Sequence, residues 1–127
     1  MKRRNVFEER RHAARQTPRE ADFHHSVYVV LLRPAVARVR KVLRENPARQ
    51  PTQPCVYVGM TGLAPEERFA NHKQGKQSAW AVKKFGVRLL PEIYAHLNPM
   101  PYAAALAMEQ ELADDLRRHG YTVTGGH

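Results

Sequence analysis

CVYVGMTGLAPEERFANHKQG, residues 55–75, changes its period midway, and the fold follows from that change. Cys55 to Gly59 is a short apolar, β-branched run closed by glycine, which is the composition of a strand. Thr61 to Ala64 turn the chain. Pro65 suits a first helical position, because its missing N–H would have no helical partner there. PEERFANHKQ (65–74) then reads as a short helix that Gly75 ends. A strand feeding a helix over so short a stretch points to a small sheet with helices packed against it.

Toward the N-terminus, SVYVVLL (26–32) has the length and β-branching of a buried strand. Between the two strands Pro34 opens a helix to about Glu45, with Ala35, Val36, Val39, Val42 and Leu43 on one face and Lys41 and Arg44 opposite. NPARQPTQP (46–54) is a proline-rich loop that cannot continue it. Toward the C-terminus, Ser78 can cap a helix, SAWAVKKF, that Gly86 terminates. VRLLPEIYAHL (87–97) reads as a third strand in which Pro91 marks an edge position or a break. Tyr102 to His119 is the clearest helix, followed by a stub, YTVT. The order is β, basic insertion, β, α, α, β, α: an α/β (α+β) domain over residues 23–127 with a helical insertion at about 33–54, preceded by a basic arm at 1–22.

At 127 residues the chain has room for one core. One cysteine, Cys55, excludes an internal disulfide framework and a multi-cysteine zinc site. The longest apolar run, Val27 to Leu32, is too short to cross a bilayer, and no apolar stretch follows the basic N-terminus closely enough for a signal peptide. A cytoplasmic protein without membrane contact is expected. The net charge of +9 is unevenly placed: residues 1–20 hold seven Lys/Arg against three acids, residues 33–53 six against one, and the remainder eight against eight. Such handles suit a polyanion, since each neutralised phosphate releases counterions; a solvated charged surface is the plainer reading.

On the last helix, Tyr102, Ala105, Leu106, Leu112, Ala113 and Leu116 fall within about 60° of Glu109 at 100° per residue. A carboxylate therefore sits amid the face to be buried, where it is either paired with a base or holds a metal. Arg68 and His72, four apart, share a helix face and supply a phosphate fork and a proton carrier, or merely two solvent-facing polar groups. Tyr28 and Tyr57 sit mid-strand, where core packing alone is the usual role.

Together these residues resemble the GIY-YIG endonucleases. The two short strand motifs of that family appear as Ser26-Val27-Tyr28 and Tyr57-Val58-Gly59, followed by Arg68-x-x-x-His72 and the helical Glu109 in AMEQELADDLRRHGYTV. The resemblance spans about residues 26–124. It implies a three-stranded antiparallel sheet flanked by helices, and hydrolysis of DNA phosphodiesters with one Mg²⁺ or Mn²⁺, RNA being the alternative substrate. Glu109 would bind the metal and Arg68 the phosphate. One tyrosine would help deprotonate the attacking water, a role often given in the family to the first-motif tyrosine, here Tyr28, and the other would orient water or phosphate, with His72 assisting proton transfer or positioning a tyrosine. Gly59 would let substrate approach, and Lys73, Arg38 and Lys41 would contact the nucleic acid. The sequence departs from the family in its long insertion. It also lacks a supporting C-terminal asparagine, for which Thr122, Thr124 or His127 would stand in. That second departure sets up an alternative, a non-cutting nucleic-acid-binding domain of the same fold.

Overall fold

The computed structural model describes residues 22–126; the basic arm therefore lies, except for Asp22, outside the described residues. The protein is a mixed α/β domain built on one four-stranded sheet of order β3-β1-β2-β4. Strands β1 (Ser26–Leu32) and β2 (Cys55–Thr61) form its antiparallel centre, in a register that sets Tyr28 opposite Gly59 and Val30 opposite Tyr57. A central strand is covered on both faces, and this accounts for the unbroken apolar run: Val27, Val29 and Val30 are fully buried.

The fourth strand is the main difference from the expected three. β4 (Thr122–Gly125) pairs parallel to β2, with Val123 beside Val56 and Thr124 beside Tyr57. Four residues carry too little alternation to declare a strand, and its pairing is fixed from outside by Asn46. That side chain is buried, accepts the Val123 N–H at 2.8 Å and donates to the Val123 carbonyl at 2.9 Å. It thus bonds the backbone of β4 much as a neighbouring strand would.

The expected helix from Pro34 to Glu45 is broken. A 3₁₀ turn (Pro34–Arg38) and α1 (Arg40–Glu45) meet at Val39, whose backbone is extended (φ −81°, ψ 122°). The break lets Val36 and Val42 both bury completely, whereas Leu43 stays 40% exposed. Helix α2 (Pro65–Gln74) follows β2 as expected, and Gly75 ends it in the left-handed region at φ +84°. Helix α3 (Trp80–Phe85) begins later than Ser78, with no side-chain cap; the free N–H of Ala79 is taken up by His72 instead.

The expected strand 87–97 is confined to β3 (Gly86–Leu89). Pro91 opens a short helix, α4 (Pro91–Tyr94), because its ring suits a first turn and cannot donate to a sheet ladder. In the long helix α5 (Tyr102–Arg118), Ala105, Glu109, Leu112, Ala113 and Leu116 are buried, but Tyr102 and Leu106 are 56% and 44% exposed. The Tyr102 ring meets the His25 ring edge-on rather than the sheet. Among the described residues no helix is long and apolar enough to cross a membrane.

Candidate active site

The register of β1 and β2 brings the two tyrosines together. Tyr28 and Val30 project to the same side as their partners Gly59 and Tyr57, so both rings stand on one face, 6.1 Å apart. Gly59 makes this possible. A Cβ there would lie 2.7 Å from the Tyr28 ring and hydroxyl and 2.8 Å from the Tyr57 ring. The space expected to admit substrate at Gly59 is filled by these rings, and the residue is a spacer between them. Gly125, at φ +78°, does the same on the other flank, where a Cβ would come within 2.7 Å of the Tyr57 ring.

Helix α2 delivers His72 into this face, fully buried, with its ring 5.6 Å from Tyr57 and 6.0 Å from Tyr28. Its Nδ1 accepts the backbone N–H of Ala79 at 3.0 Å. The ring proton is therefore on Nε2, which donates to the Tyr28 hydroxyl at 2.8 Å. Burial, helped by the Arg68 charge, lowers the His72 pKa to about 4. At neutral pH the imidazole is an uncharged donor with no lone pair left for the tyrosine, so of its two expected roles it fills that of positioning Tyr28.

The two phenols differ. Burial pushes the Tyr28 hydroxyl well above the ordinary tyrosine range, and a negative charge on Tyr57 would raise it further, against the opposing pull of Arg68. Burial also raises Tyr57, but there the Tyr28 hydroxyl favours the phenolate, the Glu109 carboxylate opposes it and Arg68 favours it. Tyr57 is half-buried whereas Tyr28 is 1% exposed. Of the pair, Tyr57 is the phenol with both solvent access and a neighbour that stabilises its anion.

Arg68 and Glu109 complete the group electrostatically. Arg68 acts on both tyrosines and on His72, and Glu109, 8% exposed on the buried side of α5, acts on Tyr57. Arg68 also donates to the carbonyls of Lys76 at 3.2 Å and Gln77 at 2.8 Å, holding the loop after α2. Among the described residues no three His, Cys, Asp or Glu side chains gather as a metal cage. Glu109 is the carboxylate of this group that could hold a metal. That suits Mg²⁺, which commonly takes one or two carboxylates and fills its shell with water and phosphate oxygens.

The other expected nucleic-acid contacts do not join the group. The Lys73 ammonium donates to the carbonyls of Gly86 at 3.0 Å and Lys83 at 3.4 Å, closing the end of α3. Arg38 and Lys41 are exposed on the insertion, which leaves the sheet at the Leu32–Cys55 pair, four residues along β1 from Tyr28. Thr122 accepts from Arg49 Nε at 2.7 Å, and Thr124 donates to the Val56 carbonyl at 3.3 Å; His127 lies outside the described residues. Sequence reasoning missed Gly125 and the Ala79 N–H. The first shows in sequence only as one of a Gly-Gly pair, while a backbone donor leaves no mark there. No family model matches the chain, and no curated protein or solved structure is significantly similar to it.

Proposed function

We propose that the protein is a divalent-metal-dependent endonuclease that hydrolyses DNA phosphodiesters in the manner of the GIY-YIG nucleases its motifs resemble. The observation that carries this reading is the gathering of two phenols, an imidazole, a guanidinium and a carboxylate from β1, β2, α2 and α5 around the buried His72–Tyr28 hydrogen bond. A packed core has no use for five such groups in one place, whereas phosphoryl transfer needs a base, a cation for the phosphate and an anion for the metal.

Tyr57 takes the proton of the attacking water, in place of Tyr28 as the resemblance implied. Tyr28 donates to the Tyr57 oxygen, and His72 holds Tyr28 in that orientation. Arg68 meets the phosphate with the N–H groups that the loop carbonyls and Tyr28 leave over, and its charge offsets the negative charge gathering on the phosphoryl oxygens. Glu109 would hold Mg²⁺ or Mn²⁺, which would supply Lewis-acid polarisation of the phosphate. The second reading, a domain that binds without cutting, is favoured by the engagement of Arg68 with two carbonyls and of both C-terminal threonines with other partners.

The test is incubation with supercoiled plasmid and with branched DNA and RNA oligonucleotides, in Mg²⁺, in Mn²⁺ and in chelator. Metal-dependent nicking that Glu109→Gln abolishes supports the nuclease. Retarded but intact DNA under every condition would move the assignment to the binding domain.

A further inference from the structure

Folding leaves Trp80, the chain's one tryptophan, 46% exposed at the start of α3. Its neighbour in the chain, Ala79, bonds His72 Nδ1, which ties the start of α3 to the residue that holds Tyr28. The indole meets the Phe85 ring edge-on, with centroids 6.3 Å apart. Two cations lie over that same Phe85 ring, the Arg33 guanidinium at 5.7 Å and the Lys84 ammonium at 5.4 Å. Arg33 is fixed there by bonding to the carbonyl of Lys84 and by its own N–H to the carbonyl of Phe85. Residues 73–91 hold five Lys/Arg and no Asp or Glu. A basic, aromatic strip therefore runs along α3, whose start is tied to His72, to the point where the basic insertion begins.

An exposed indole costs hydration free energy that a stacked base would recover, and every base offers a π face once it is out of the duplex. The neighbouring cations suit the flanking phosphates. A closed duplex would satisfy the cations but has only base edges to show the indole.

We propose that Trp80 is a stacking platform for an unpaired nucleobase beside the tyrosine site, with Arg33, Lys83 and Lys84 gripping the adjoining phosphates, so that the substrate is a strand with single-stranded character. This deepens the nucleic-acid reading above and rests on it.

Because Trp80 is the only tryptophan, intrinsic emission reports this surface alone. The full chain is titrated in chelator with a fluorescein-labelled oligothymidylate and with a closed hairpin duplex of equal length. Single strand should quench the emission saturably, at the same midpoint as the rise in label anisotropy. Trp80→Leu should weaken single-strand binding roughly 5- to 100-fold and leave the hairpin unchanged, while Trp80→Phe recovers part of the loss. Exposure of the side chain keeps these variants folded, which a thermal melt checks. Replacing Lys83 and Lys84 by Gln should lower the single-strand salt slope by roughly 0.7 for each phosphate no longer neutralised. Binding of the labelled strand without change in emission, or with equal affinity for Trp80→Leu, overturns the platform and leaves the nuclease reading standing. Failure of both strand and hairpin to bind overturns the nucleic-acid reading itself.

Discussion

At Tyr57 three neighbours compete over one proton: Tyr28 and Arg68 favour the phenolate, and Glu109 and burial oppose it. Tyr57→Phe removes the base outright and should lower the cleavage rate by roughly 10²- to 10⁴-fold without loss of DNA binding. Tyr28→Phe keeps the base but removes the hydroxyl that favours its anion, so the ascending limb of the pH–rate profile, which reports the base, should move to higher pH. Loss of cleavage in Tyr28→Phe, with Tyr57→Phe still active, would return the base role to Tyr28. His72 makes a separate prediction about stability. Its pKa is depressed to about 4 in the folded state, so between its ordinary value near 6.5 and 4 the unfolded chain binds the extra proton. The contribution is therefore fully present above about pH 6.5 and is lost as pH falls toward 4, with a slope of at most about 1.4 kcal/mol per pH unit. Urea unfolding across that window should show the slope, and His72→Gln should flatten it.

Among the elements, the insertion is tied to the C-terminal strand rather than left as an open loop. Asn46 donates to the Val42 carbonyl at the end of α1, bonds Val123 twice and accepts from Arg117 Nε at 3.2 Å. Gln50 N–H reaches the Gly120 carbonyl at 2.7 Å, and Gln53 Nε2 the His119 carbonyl at 2.8 Å. Asn46→Ala strands the Val123 amide in a buried position and should destabilise the protein by about 2–3 kcal/mol, read as the shift in urea midpoint. A loss of a few tenths would mean that β4 is held by β2 alone. The same elements explain what the sequence could tell. β1, β2, α2 and α5 were legible because each carries a period or a terminator of its own: the Val-rich runs, Pro65 with Gly75, and the apolar stripe around Glu109. The join in the insertion was not, since Val36, Val39 and Val42 fit a helix face equally well and only burial against the core decides for a break at Val39. β4 pairs parallel to β2 and is bonded by Asn46, seventy-seven positions earlier, and no local pattern carries that. In the site, Tyr28, Tyr57, Arg68, His72 and Glu109 stood out as polar groups on apolar or shared faces. The role of Gly59 as spacer needed the strand register, and the tautomer of His72 needed the Ala79 amide.

For the molecule as a whole, charge is the property that a regional tally describes worst. Counting by segment assigns the positive excess to residues 1–20 and 33–53 and calls the rest neutral, eight against eight. That neutrality is an average: the charges of residues 73–91 are wholly basic, and acids elsewhere, among them Glu111, Asp114 and Asp115 exposed on α5, balance them. A polyanion responds to the local surface, so two separable contributions to binding are expected. The arm at residues 1–20, with a balance of +4, supplies charge that makes no distinction between strand and duplex. The strip at Trp80 supplies a surface that does. Deleting residues 1–20 should therefore weaken hairpin and single strand alike and lower the duplex salt slope by roughly 0.9 for each phosphate the arm had neutralised. The preference between the two ligands should stay where it was. Besides Met1, residues 1–20 hold only Val6 and Phe7 as large apolar side chains, so the truncated chain should melt as the parent does. Paired titrations over a range of salt, with and without the arm, measure both quantities at once. An affinity and slope unchanged by the deletion would make the arm a solvated tail. A changed preference would instead place part of the strand discrimination in the arm, outside the strip at Trp80.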